Sequence, residues 1–308
     1  MNEAQVIAVD LDGTLTLTDT LHESLLTLVR NKPYLLLLLP FWLFKGIAHL
    51  KQKVAEHTEL DVTTLPYNQP LIDWLKEEKE RGKKIVLCTA ANEKIAKAVV
   101  SNFDLFDSFI ASDSKTNLKS ACKRNALQER YGVQGYDYAG NSNDDLEVWA
   151  GASNAIVVNA SKNVLKKAAT LTSVTQVFRS ERILIAVWLK AIRIHQWLKN
   201  LLLFVPVLAA HQIGNAQSLG LLIIAFVSFG LCASSVYITN DLLDLESDRS
   251  HPRKRFRPFA SAKLSVLHGV IAAPLLIAAS FLLGAVVRVD FLIVLFVCLL
   301  LTVTYSFS

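Results

Sequence analysis

At 308 residues the chain has room for two domains, and its hydropathy divides unevenly: residues 1 to about 180 mix charged and apolar side chains, whereas from Ile183 long apolar stretches are separated by short polar breaks. The net charge is +5, and the basic residues gather beside the apolar stretches, as in Arg253, Lys254, Arg255 and Arg257, instead of lining a groove, which argues against a nucleic-acid partner. Four cysteines, Cys88, Cys122, Cys232 and Cys298, lack CxxC spacing and histidine companions, which argues against a thiolate metal site; they read as small buried hydrophobes in a reducing compartment.

The N-terminus carries Asn2, Glu3 and Gln5 before only a short apolar run, unlike a secretory signal, so the first domain is expected in the cytosol. Gln5 to Asp10 reads as a strand running into Asp10-Leu11-Asp12-Gly13-Thr14-Leu15. Side chains alternate along a strand, so Asp10 and Asp12 converge, and Gly13 permits the bend that presents them at the strand's carboxyl end. A long, mostly helical segment follows between Thr14 and Pro70. Within it Tyr34 to Phe44 is almost wholly apolar, yet it falls short of the roughly 20 residues a spanning helix needs. This run is either a buried helical core or an interfacial helix beside Lys45, Lys51 and Lys53.

Helical periodicity over Asn68 to Arg81 and Glu93 to Ser101 alternates with β-rich runs at Lys84 to Leu87, Tyr136 to Ala139 and Ala155 to Val158. The last of these is expected to close a parallel sheet with right-handed crossovers. Cys88-Thr89-Ala90 follows one run, and Gly140-Asn141-Ser142-Asn143-Asp144-Asp145 follows the next.

These segments, in this order, resemble the motifs of the haloacid-dehalogenase superfamily. The resemblance implies a Rossmann-like α/β phosphatase domain over residues 1–178 with a helical cap at about 15–70. In that family's terms Asp10 is the nucleophile, Asp12 the general acid and then base, and Thr89 a hydrogen bond to the phosphate. Mg²⁺ would lie beside Asp10, Asp12, Asn141 and Asp145, with Asp144 as a further acid. Lys119 and Lys123 both fall where the family places its phosphate-balancing lysine, and Lys123-Arg124-Asn125-Ala126-Leu127 is nearer to the K-x-x-x-L helix start. Asn141 stands where an Asp is usual and offers a hard cation only a neutral carbonyl, so an active phosphatase and a regulatory domain both stay open. If the apolar run of the cap meets membrane, the phosphatase substrates would be lipids.

After a linker at 179–192, an all-α membrane region is expected over 193–308. Its spans read as Leu201 to Ala210, Leu219 to Thr239, Leu264 to Val287 and Phe291 to Tyr305. The break between the second and third holds Arg249, Arg253, Lys254, Arg255, Arg257 and Lys263 and so faces the cytosol, which also places the residues before Leu201 there. The same break begins Asn240-Asp241-Leu242-Leu243-Asp244-Leu245-Glu246-Ser247-Asp248. If the helix continues, Asn240, Asp244 and Asp248 share a face with Asp241 adjacent, a self-repelling cluster that Mg²⁺ and substrate phosphates would neutralise.

This segment, with the His251-Pro252-Arg253-Lys254-Arg255-Phe256-Arg257-Pro258 that follows, resembles the aspartate-rich motif of UbiA-type prenyltransferases. His195-Gln196-Trp197-Leu198-Lys199-Asn200 is similar to a segment of the subgroup that includes polyprenyl-phosphate phosphoribosyltransferases, with Ile194 in place of proline. The resemblance implies a multi-pass protein of the inner (cytoplasmic) membrane. Asp241, Asp244 and Asp248 would hold Mg²⁺, and Asn240, Lys254, Arg255, Arg257, His195 and Lys199 would contact substrate. For His195 and Lys199 an interfacial anchor, with Trp197 in the aromatic belt, competes with that role. The lipid substrate would be a polyprenyl phosphate or diphosphate, and its partner phosphoribosyl diphosphate or an aromatic acceptor. The family's second aspartate-rich motif does not occur before Ser308, so the membrane domain is expected to be incomplete and the chain a fragment.

Overall fold

Period-two burial organises the first half of the molecule. In β1 (Val6–Val9) all four side chains are buried, Ile7 and Val9 in one apolar cluster and Val6 and Ala8 in a second. The same split recurs in β2 (Lys84–Asn92), where Ile85 and Leu87 join the first cluster and Val86 and Cys88 the second. Both faces of the sheet are therefore covered, as a parallel sheet requires. The computed structural model describes residues 5–114, 116–179, 185–205, 209 and 215–306, and it divides into two compact units, 1–182 and 183–308.

In the first unit β1 is followed by α1 (Thr20–Asn31), α2 (Leu39–Phe44), α3 (Ile47–His57) and α4 (Gln69–Glu80). After β2 come α5 (Glu93–Asn102), β3 (Ser108–Ser112), α6 (Ala121–Tyr131), β4 (Asp137–Gly140), α7 (Leu146–Trp149), β5 (Asn154–Val158), α8 (Lys162–Leu171) and β6 (Ser173–Phe178). The six strands are parallel in the order β3-β2-β1-β4-β5-β6. The chain winds outward from β1 on one side and then, from β4, on the other. The strand order thus reverses between β1 and β4, and a crevice opens at the carboxyl ends of those strands.

Two strands differ from the sequence expectation. The sheet closes on β6, not β5, and β3 was not anticipated; β6 lies at the sheet edge with alternately exposed residues and β3 is mostly half-buried, so neither presents the dense apolar run that marks a central strand. The cysteines differ too: Cys88 and Cys232 are buried, but Cys122 is exposed and Cys298 half-buried.

The helices α1 to α3 form a cap with its own small core of Leu28, Leu35, Trp42, Leu50 and Val54. Asp19 starts α1 by accepting from the N–H groups of Leu21 (2.9 Å) and His22 (3.1 Å), supplying partners for otherwise orphaned donors. The apolar run Tyr34 to Phe44 folds as a 3-10 turn (Pro33–Leu38) and α2; Leu35 and Trp42 face the cap core while most of the others are exposed.

The second unit contains α9 (Ile185–Ala191), a 3-10 segment (Ile194–Phe204), α10 (Ala216–Leu243), α11 (Leu245–Ser250), α12 (Val266–Val287) and α13 (Val289–Ser306). At 28 and 22 residues, with mean hydropathies of 2.3 and 2.5, α10 and α12 are long and apolar enough to cross a bilayer. Leu275, Leu282 and Val286 of α12 are mostly exposed, the reverse of a core helix in water and what lipid-facing side chains require. The two helices meet through small residues: Ser228 Oγ donates to the Ser280 carbonyl at 2.8 Å, and Ser280 Oγ returns a bond to the Ser228 carbonyl at 2.7 Å. Of the four expected spans, the second and third fall on these two helices; the fourth falls on α13, whose apolar stretch Val289–Thr302 is shorter, and the first, the Leu201 to Ala210 run, is 3-10 as far as Phe204 and lies partly outside the described residues.

Candidate active sites

In the first unit, Asp10 ends β1 at the switch point and Lys123 rises from α6 to meet it. The Lys123 ammonium donates to Asp10 Oδ1 at 2.8 Å and to the Tyr138 hydroxyl at 2.9 Å, and all three groups are buried. Lys119 instead sits at the surface, paired with Asp144 at 3.0 Å. Burial pushes the Asp10 carboxyl above its usual range against the pull of Lys123, and burial, with Asp19 nearby, does the same for Asp12. Asp12 Oδ1 accepts from the Thr20 N–H, at the start of α1, at 2.7 Å. A carboxyl that keeps its proton near neutral pH in reach of a nucleophilic carboxylate is equipped to be a general acid.

Gly13 has φ +75, and a Cβ there would collide with the Asn141 side chain, so glycine is required twice over. The Asn141 amide donates to the Asp12 carbonyl oxygen at 3.3 Å, which brings this residue to the loop that carries Asp10 and Asp12. Asp145 behaves differently from a free acid beside a metal. Its Oδ1 accepts from Tyr138 (2.8 Å), and its Oδ2 accepts from the N–H groups of Asn141 and Ser142 (2.9 Å each) and from Ser142 Oγ (3.0 Å). It holds the loop that presents Asn141. Thr89, fully buried where β2 loses register with β3, accepts from the Ala91 N–H at 2.9 Å and keeps its own hydrogen to donate. The Thr14 hydroxyl, one residue beyond Gly13, is buried without a partner.

Two contributors escaped the sequence reading. Tyr138 links Lys123 to Asp145, and only its place on β4 beside β1 makes that visible. Lys51 of the cap donates to the Ala90 carbonyl at 2.6 Å and lines, with Asp12, Asp19, Thr20 and Asn92, a cavity of about 40 Å³. That volume holds about a water, so little space remains between the cap and Asp12.

In the second unit the acidic run does not stay on one unbroken helix. It turns at Asp244, between α10 and α11, and the residues that meet are Asp241 and Asp248. Arg257 bridges them, with Nη1 3.1 Å from Asp241 Oδ1 and 2.7 Å from Asp248 Oδ2. Arg193 adds a 2.6 Å bond to Asp241, and Lys254 stands 3.8 Å from Asp248 Oδ1. Both carboxylates are buried, while Asp244 is half-buried. The expected shared face of Asn240, Asp244 and Asp248 thus gives way to a pair seven residues apart, whose repulsion is answered by guanidinium groups.

Arg193 is the second unit's missed residue. It stands two residues before His195 and lies over the Tyr237 ring at 4.8 Å. His195 and Lys199 are exposed, and Arg255 lies over the neighbouring Phe256 ring. Trp197 packs where Gly230 leaves room and donates to Ser234 Oγ at 3.0 Å, which ties this segment to α10.

Among the described residues no three Asp, Glu, His or Cys side chains converge as a metal site. Mg²⁺ at either centre would therefore rest on one or two carboxylates and complete its shell with water and substrate phosphate oxygens, which is how this ion commonly binds. The residues fit that arrangement. Asp10 and Asp12 are buried beyond what Lys123 compensates, and Asn240 Oδ1 and Asp248 Oδ1 are buried acceptors without hydrogen-bond partners.

The model of the UbiA prenyltransferase family matches residues 201–308, which include all of α10 to α13 and the Asp241–Asp248–Arg257 cluster. These residues are a UbiA domain. An uncharacterized protein of Sinorhizobium fredii is 36% identical over 302 residues, 97% of this chain, and the chain spans 58% of that relative's length. A decaprenyl-phosphate phosphoribosyltransferase of Mycolicibacterium smegmatis is 38% identical over 124 residues, 39% of each chain. Ahead of the UbiA domain, a solved phosphoserine phosphatase in its apo form superposes with a TM-score of 0.41 and 16% identity, covering 57% of this chain and 93% of that one. The fold assignment there stands on the strand order and the switch-point geometry.

Proposed function

We propose that the chain is part of an inner-membrane enzyme that moves a phosphoribosyl group from phosphoribosyl diphosphate to a polyprenyl phosphate, and that its first domain, on the cytosolic side, removes the phosphate from the product. The observation that supports the transfer best is Arg257 held between Asp241 and Asp248 with Arg193 and Lys254 at their flanks. The sugar C–O bond to the diphosphate breaks, the diphosphate departs with the electron pair, and a phosphate oxygen of the lipid forms the new C–O bond. Arg193, Lys254 and Arg257 take up the charge that accumulates on the departing oxygens, an effect that is large where water is scarce. Mg²⁺, when bound by Asp241 and Asp248, supplies further neutralisation of the diphosphate.

In the first domain Asp10 attacks phosphorus, the ester oxygen leaves with the proton of Asp12, and Asp12 then takes a proton from the water that frees Asp10. Lys123 steadies the negative charge of Asp10 and of the incoming phosphate. Mg²⁺ there, beside Asp10 and Asp12, would offset phosphate charge. A regulatory reading of this domain is favoured by Asn141 and by the fully engaged Asp145. Both readings are tested with the full-length enzyme, supplied with phosphoribosyl diphosphate and a polyprenyl phosphate. Asp241→Asn with Asp248→Asn is expected to abolish transfer, and Asp10→Asn to leave a product that keeps its phosphate. A phosphate that persists equally in the wild type removes the hydrolytic step and leaves the regulatory role.

A further inference from the structure

The cap carries a surface that neither reaction uses. Eight of its large apolar side chains are exposed between positions 34 and 47, among them Tyr34 (67%), Leu37 (77%), Phe41 (65%) and Phe44 (90%), against three elsewhere among the described residues of the first unit, Val133, Leu171 and Val177. The three are scattered singly, as on any soluble surface, whereas the eight lie on one short stretch. The stretch is not loosely folded: Leu35 and Trp42 anchor it to the cap core, and the Trp42 ring stacks on His57 at 5.6 Å. Exposure is therefore a property of the packed cap.

We infer that this face of the cap inserts into the surface of the bilayer that the UbiA domain occupies. Three observations favour lipid over a protein occupant. No Asp or Glu occurs from Ser24 to Ala55, a span that holds Arg30, Lys32 and Lys45 around the apolar run, a balance suited to anionic headgroups. The apolar run is too short to span and ends in exposed Phe44 followed directly by exposed Lys45, the aromatic-then-basic edge of an interfacial helix. The same chain carries α10 and α12, which keep the bilayer at high effective concentration, so that even a modest affinity is realised. The helices against which this segment packs through Leu35 and Trp42, α1 and α3, also supply Thr20, Ser24, Lys51 and Val54 to the small cavity over Asp12, so the segment that meets lipid is anchored on the helices that line the site. The inference concerns a surface and holds whichever reaction the first domain performs.

It is tested by placing photoreactive benzoylphenylalanine at Phe44, one position at a time alongside Leu282 and Val133, in the complete protein reconstituted in vesicles of phosphatidylcholine with a minority of phosphatidylglycerol. After illumination, lipid adducts on the protein are read by mass spectrometry. Adducts at Phe44 and Leu282 with none at Val133 are the expected result. Adducts at Leu282 alone, or cross-links from Phe44 only to protein, overturn the inference while leaving the membrane-embedded UbiA domain intact. Absence at both Phe44 and Leu282 overturns both.

Discussion

Lys123 Nζ lies 2.8 Å from Asp10 Oδ1 with both side chains largely withdrawn from water, the lysine 5% and the aspartate 12% exposed. Such a pair stabilises little against an apolar alternative, but breaking it is costly because one charge is left buried alone. Lys123→Met is therefore expected to destabilise the first unit by about 3 kcal/mol, and Asp10→Asn in the same chain to recover much of the loss. Chemical denaturation followed through the buried Trp149 checks this; additive losses in the double variant would contradict it.

How far this pair could be read in advance depends on its chemistry. Asp10, Asp12 and Gly13 sit on one local motif, and their geometry follows from strand alternation and one tight turn. Lys123 lies 113 residues away from Asp10, and only the parallel order β2-β1-β4 and the docking of α6 carry it there. The K-x-x-x-L resemblance nonetheless picks out Lys123, whereas no motif is assigned to Tyr138, Lys51 or Arg193, each of which acts across elements that are distant in sequence. The turn at Asp244 was hidden too, since a helical pattern cannot announce where a helix breaks at a polar residue, and with it went the choice of Asp241 over Asp244 as the partner of Asp248.

Arg257 should be indispensable to any diphosphate chemistry in the UbiA domain. Replacing it with Gln leaves Asp241 to Arg193 alone and Asp248 to the more distant Lys254. The expected result is that inorganic pyrophosphate with Mg²⁺ no longer protects the membrane unit from thermal unfolding in detergent, with a loss of at least tenfold in apparent affinity, about 1.4 kcal/mol. Arg257→Lys should retain part of it, because charge remains while the two-pronged geometry is lost.

Glu78 gives the first unit an acid-sensitive element away from either site. Burial raises its pKa, but the ammonium of Lys83 at 2.8 Å and the guanidinium of Arg81 outweigh burial, and the carboxyl lies below its ordinary 4.5. A depressed folded pKa adds stability that is complete above 4.5 and is lost as pH falls through the lower, folded value. Stability of the wild type should therefore fall below pH 4.5 more steeply than that of Glu78→Gln, with a difference on the order of 1 kcal/mol at neutral pH. Denaturant titrations of both proteins across this range measure it, and parallel curves would contradict the assignment.

Asn141 offers the most informative single change in the first unit. Its amide donates to the Asp12 carbonyl oxygen at 3.3 Å and is held in place from behind by Asp145, which accepts from its N–H. Asn141→Asp removes that donor and sets a further carboxylate near Asp10 and Asp12, whose own charges burial already disfavours. Without a divalent ion the substitution should lower the melting temperature by a few degrees, since about 1 kcal/mol of repulsion shifts a domain of this size by that amount. With Mg²⁺ the order should reverse, because a hard cation gains a charged oxygen and binding to the folded state alone adds stability. The measurement is the melting temperature of both proteins with and without millimolar-range Mg²⁺, together with hydrolysis of an aryl phosphate. A larger Mg²⁺-induced rise and faster hydrolysis in Asn141→Asp would mark the loop as a phosphatase site attenuated by one amide. An unchanged response would mean that Mg²⁺ does not reach this loop, and the hydrolytic role would fall with it.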